Sequence, residues 1–131
     1  MGKVMVLTNL TLDGVMQAPG RPDEDRRGGF AHGGWAAPYA AMANVFSAEQ
    51  DGDGAGTPRA LLLGRRTYED FYAVWPNRTD NPFTAVLNAA RKYVASTTLK
   101  EPLPWQNSTL LAGDAAEGVA RLKEEPGREL L

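Results

Sequence analysis

A chain of 131 residues has room for one ordinary domain but not for two. With 43% hydrophobic and 23% charged residues, it has the balance of a globular protein, not a disordered or fibrous one. A formal net charge of −2 and the lack of any cysteine exclude a general basic field for nucleic acid, disulfides, thiolate catalysis and cysteine-ligated zinc, so any anion binding has to be local.

Lys3 to Thr11 is apolar and β-branched enough to predict a strand, and Asp13-Gly14 predicts the turn after it. The apolar run is short and alternating, far from the roughly 18 residues of a membrane span and without a signal-peptide cleavage site. The expectation is therefore a cytoplasmic protein with no membrane partner, and the Asn-X-Ser/Thr matches at Asn9, Asn77 and Asn107 carry no weight. Residues 17–34, rich in Pro, Gly and charge, predict a long loop of the lid or mobile kind. Trp35 to Gln50 predicts a helix with Tyr39, Met42, Ala43 and Phe46 on one face, ended by DGDGAGTP.

Ala60 to Leu63 is wholly apolar, as in a strand buried on both faces of a parallel sheet. Tyr68, Phe71, Tyr72 and Trp75 then follow helical spacing, and Pro76 ends that helix. A second helix starts at Asn81-Pro82, with Phe83, Val86, Leu87 and Ala90 on one face. Lys92 to Ser96 and Thr109 to Ala112 predict two more strands. Asp114 and Glu117 have capping-box spacing for a last helix, stopped by Pro126-Gly127, and Glu129 to Leu131 reads as the start of a further strand. Alternation of strands and helices predicts an α/β domain with a largely parallel sheet, whose ligands bind beyond the carboxyl ends of the strands.

Gly64-Arg65-Arg66-Thr67 lies at such a strand-to-helix corner. The first N–H groups of a helix have no internal partners, and two guanidinium forks beside them suit a phosphate. Thr67 could cap the helix, with Asp70 three residues on, or turn its hydroxyl to the anion; the competing reading is a plain corner with solvated arginines. Ser96-Thr97-Thr98 ends another strand and could hold a second phosphate, although ordinary loop chemistry is the stronger reading for it. If both corners face one crevice, together they could hold a dinucleotide bearing an extra phosphate. DGDGAGT fails as a calcium loop, because its twelfth position is Leu62 where a bidentate Glu belongs. His32, the single histidine, cannot build a metal site alone, and Asp23, Glu24 and Asp25 read as a solvated loop face. Asp13 either shapes its turn or stands as a carboxylate at the mouth of the crevice.

TLDGVM, HGGWAAPY, LLLGRRTYEDF, VWPNRTDNPF, KYVASTTL and a Gly-Asp, helix, Pro-Gly ending occur in this order over essentially the whole chain. Together they resemble the dihydrofolate reductase-like family, in the branch named for the reductase domain of bacterial riboflavin biosynthesis. The resemblance implies a single domain over 1–131 with a three-layer fold: a twisted, mostly parallel sheet flanked by helices. It implies NADPH as cofactor and hydride transfer to a pyrimidine- or pteridine-like heterocycle, as in 5-amino-6-(5-phosphoribosylamino)uracil reductase. By resemblance, Gly14, Gly64, Arg65, Arg66 and Thr67 lie on the cofactor, with Ser96 and Thr97 near its ribose 2′-phosphate. Asp13, Trp35 and Tyr39 are the matching substrate-side residues. Folate reductases carry an acidic residue on the first helix, and WAAPYAAMANVF has none, which points away from folate and leaves no catalytic proton donor assigned. The family's closing strands and Gly-rich pyrophosphate turn would follow Leu131. The expectation is therefore either a partner chain that covers the open sheet edge, as in a homo-oligomer such as a homodimer or a non-catalytic assembling domain with an incomplete cofactor site, or a truncated piece of a longer product.

Overall fold

The computed structural model describes residues 2–39, 60–125 and 129–131. The three short apolar runs become β1 (Leu61–Gly64), β2 (Lys92–Ala95) and β3 (Ser108–Leu111), all parallel in the order β1-β2-β3. The register sets Leu63 beside Val94 and Val94 beside Leu110. Helices α1 (Arg65–Val74), α2 (Phe83–Ala89) and α3 (Ala115–Glu124) follow the strands. This is an α/β arrangement with a small open parallel sheet, as the alternation predicts.

Period-two alternation sends side chains to both faces of the sheet. Leu61, Leu63 and Val94 pack with Tyr68 of α1, Ala90 and Trp105, and Phe71, Trp75 and Leu87 lie against them. Ala60 and Tyr93 point the other way, to Leu122 of α3 and to Leu130. β1 therefore carries apolar residues in an unbroken run, its leucines packed on both faces, whereas β3 at the sheet edge leaves Thr109 exposed. Trp105 ties the first cluster together. Its backbone N–H donates to the Tyr68 hydroxyl at 3.0 Å and its indole Nε1 to Asn88 Oδ1 at 2.7 Å. The open edge of β3 is blunted by a side chain: Leu110 N–H donates to Glu101 Oε1 at 2.8 Å, removing a donor that would otherwise template strand pairing.

Glu129 to Leu131, where the sequence predicts the start of a strand, forms only isolated bridges at Leu130 among the described residues. Leu130 bridges Val4 on one side and Ala60 on the other, both in parallel, and Leu62 N–H donates to Leu131 O at 2.7 Å. The predicted strand over Lys3 to Thr11 contracts to this bridge at Val4. Strands persist only where a neighbour completes the ladder, and Leu130 offers a partner for little more than one residue. Beyond it the apolar residues are open, with Val6 83% and Leu7 76% exposed. On α2, Phe83 and Val86 are 45% and 60% exposed, so only the Leu87 and Ala90 side of the predicted face is packed.

The chain divides into two compact units, Met1–Val6 with Thr57–Leu131, and Leu7–Gly56. Within the second unit, residues 17–34 are internally braced rather than a featureless loop. Glu24 Oε2 accepts from Gly20 and Arg21 N–H, Gln17 Nε2 donates to Asp25 and Arg27 carbonyls, and Asp25 pairs with Arg27. Gly33 lies so close to Pro22 O that a Cβ there would sit 2.6 Å from it, which only glycine avoids. The predicted helix over Trp35 to Gln50 begins as a single 3-10 turn, Ala37–Tyr39; its remainder, and the DGDGAGT segment, lie outside the described residues.

Candidate functional site

Three parallel strands deliver three chain corners to one end of the sheet. The corners after β1 (Gly64 to Thr67), after β2 (Ser96 to Thr98) and after β3 (Gly113 and Asp114) line one cleft of about 730 Å³. The two corners singled out in the sequence therefore share a crevice, at the carboxyl ends where α/β sheets bind ligands.

β1 runs into α1 with no residue between them, so the N-cap position falls on Gly64, which has φ −77°, ψ 164° and no side chain to offer. The first N–H groups of α1 are left without a side-chain cap, and the helix dipole adds partial positive charge there. Thr67 is not the cap. It is the third residue of the helix, because the helix starts three residues earlier than a Thr67 cap with Asp70 would require. A Cβ on Gly64 would meet nothing within 4 Å, and the backbone there is extended, so neither packing nor conformation demands glycine. Space at this point matters to an incoming ligand. Gly64→Ala is thus expected to change thermal stability by less than about 1 kcal/mol while weakening binding of a phosphate-bearing ligand. Melting curves and a nucleotide titration on the same sample check this, and a variant that binds as tightly as wild type would show that no ligand approaches Gly64.

The two arginines differ. Arg65 Nη1 donates to Thr98 Oγ1 at 2.8 Å, and its Nε lies 3.6 Å from Glu69 Oε2, so Arg65 ties the first corner to the second. Arg66 is exposed and has no hydrogen bond or ion pair among the described residues. Ser96 Oγ accepts from the N–H groups of Thr98 at 3.2 Å and Leu99 at 3.1 Å, which is the loop-building role expected of serine at a strand end. Its hydroxyl also lies 3.4 Å from that of Thr98. Thr97 is exposed, with no side-chain partner among the described residues.

The third corner carries a carboxylate. Asp114 Oδ1 accepts from Glu117 N–H at 3.0 Å, one half of the predicted capping box, and Gly113 has φ +81°, a conformation that favours glycine. The sequence marks Asp114 only as a helix cap. A signal that it lines the site is nonetheless present, since LLAGD repeats the strand-then-glycine pattern of LLLGR.

The other expected site residues belong to the second unit. Asp13 and Gly14 form a turn in which the Thr11 hydroxyl donates to Asp13 Oδ1 at 2.6 Å and accepts from Val15 N–H at 2.8 Å, with Gly14 at φ +89°. The Thr11 hydroxyl, helped by Asp13's own backbone N–H, holds the Asp13 carboxyl below its usual range. Trp35 is committed to the loop, donating from Nε1 to Gln17 O at 2.9 Å, and Tyr39 is 63% exposed. His32 rests edge-on against Phe30 at 5.8 Å. Among the described residues no group of His, Asp and Glu side chains is arranged to hold a metal ion, and no helix is long and apolar enough to cross a membrane.

Fold and crevice together define an α/β protein with a small open parallel sheet and a cleft at its strand ends that carries arginine, hydroxyl and carboxylate side chains. No protein-family model matches the chain, and no curated protein matches it.

Proposed function

We propose that this chain is an NADPH-dependent reductase of the dihydrofolate reductase-like type, in the branch that reduces pyrimidine- or pteridine-like heterocycles in riboflavin biosynthesis. The observation that carries the reading is the single crevice shared by the uncapped, arginine-flanked start of α1 and the hydroxyl cluster after β2. A dinucleotide with an extra phosphate needs those two features side by side, and an arginine corner suits a 2′-phosphate where an acidic one suits a ribose hydroxyl. The open space at Gly64 and Arg66, which has no partner among the described residues, fit such a group. When bound, NADPH supplies the hydride; the residues around it bind, orient and exclude water. On the substrate side, the resemblance assigns Asp13, Trp35 and Tyr39. Asp13, ionised at neutral pH as any exposed aspartate is, serves there as an acceptor for a ring N–H rather than as a proton donor.

Titration with NADPH, followed by nicotinamide fluorescence, is expected to give a saturable change that NADH reproduces only at much higher concentration. A folded sample that responds to neither NADPH nor NADP⁺ would rule the cofactor out for this chain.

A further inference from the structure

The crevice is electrically lopsided, and the lopsidedness follows from strand order. Two helices begin at its rim. The start of α1 has no side-chain cap and carries Arg66 without a partner among the described residues, so it attracts an anion. The start of α3 is capped by the Asp114 carboxylate, which neutralises the same dipole and repels a phosphate. Because β2 lies between β1 and β3, these two ends stand two inter-strand spacings apart, about 10 Å. Ser96, Thr97 and Thr98 occupy the middle. That is the span of a nucleoside lying across the strand ends, with a phosphate at the cationic end, the sugar over the hydroxyls and the edge of the base at the carboxylate.

Asp114 has one oxygen to spare for such an edge. Oδ1 is taken by Glu117 N–H, while Oδ2 has no partner among the described residues. A carboxylate oxygen only accepts, so it selects a hydrogen-bond donor on the base. Adenine presents its exocyclic amino group as such a donor. From this geometry we infer that Asp114 is the specificity residue of the crevice, accepting a hydrogen bond from the adenine amino group of the bound cofactor. The inference rests on the NADPH reading and adds to it the orientation of the nucleoside and the residue that reads its base.

The test compares NADPH with its purine counterpart, in which hydrogen replaces the amino group and no donor is left on that edge of the base. Wild type is expected to bind NADPH at least about tenfold more tightly, the effect of one charge-assisted hydrogen bond. Asp114→Ser keeps a side-chain cap on α3 but removes the carboxylate, and is expected to bring the ratio close to one at a melting temperature near that of wild type. Asp114→Asn also caps but turns the free carboxylate oxygen into an amide donor, so the preference for the amino compound is lost there as well. A wild type that binds both compounds equally, or an unchanged ratio in the serine and asparagine variants, overturns the role of Asp114 while leaving the cofactor assignment standing. A wild type that binds neither compound overturns both.

Discussion

Lys92→Met is expected to destabilise the fold by about 2–4 kcal/mol at neutral pH, and by more as the pH rises. Lys92 opens β2 and is fully buried, the one buried charged side chain among the described residues. Its Nζ donates to the Ala90 carbonyl at 2.8 Å, to Gln106 O at 3.1 Å and to Asn88 O at 3.4 Å, and stands 4.3 Å over the Trp105 ring. Methionine keeps the stem but leaves the Ala90 and Gln106 carbonyls without this donor in a dry place. The Asn88 carbonyl retains the side-chain amides of Gln106 and Asn107, so the loss falls on the other two.

The pH dependence has a definite sign. Burial pushes the Lys92 ammonium down to about 8 from the 10.5 of an exposed lysine, against the carbonyls and the ring face, which favour the charged form. Between those two values the unfolded chain holds a proton that the folded chain has released, so stability from this group rises with pH across the window. The gain amounts to a few kcal/mol at most, about 1.4 kcal/mol for each pH unit that separates the two values. Urea midpoints of wild type and Lys92→Met at pH 7 and pH 9.5 check both parts. Equal stability of the two proteins, or a difference that shrinks at the higher pH, contradicts this account. Nucleotide binding should survive in the folded variant, since Lys92 is at the amino end of its strand and the crevice is at the carboxyl end.

Arg66→Ala is expected to have the opposite profile, with loss of NADPH affinity and no loss of stability. An exposed arginine without a partner contributes little to the fold, so its removal should shift stability by no more than about 0.5 kcal/mol. If it holds a cofactor phosphate, its removal costs about 1.5–3 kcal/mol of binding, a roughly ten- to hundredfold weaker affinity. Arg65→Ala should cost a similar amount of affinity, but it also releases Thr98 from its 2.8 Å bond and so loosens the second corner. Wild-type binding should weaken as salt is added, because these contacts lie at the surface. Isothermal titration of both variants at two ionic strengths decides the point. Wild-type affinity in Arg66→Ala would return the pair to the plain-corner reading.

The strands that build the crevice are legible because each is a short apolar run closed by a glycine or a hydroxyl cluster. LLLG needs no distant information to be recognised as sheet buried on both faces, and KYVA and STLL are recognisable locally as strands. The start of α1 is misjudged at Thr67, since a threonine three residues before an acid looks like a cap wherever it occurs. Only the unbroken passage of β1 into the helix puts the cap on Gly64. The long N-terminal strand is overestimated for a related reason: apolar β-branched text expresses willingness to pair, and the length of a strand depends on its neighbour.

What the amino-acid sequence by itself determined is the class of the protein, the parallel habit of its sheet and the chemical character of two corners, because these depend on composition and spacing within about a dozen residues. What only the tertiary structure decided is who meets whom. A lysine reads as a solvent residue until carbonyls from α2's end and the segment after Trp105 converge on it. Asp114 reads as a helix cap until the order β1-β2-β3 sets it across the same crevice from Arg66. Both outcomes depend on contacts between segments far apart in the chain. Local pattern carries no information about them, since the free energy of burying a charge or opposing two helix ends exists only once the sheet has assembled.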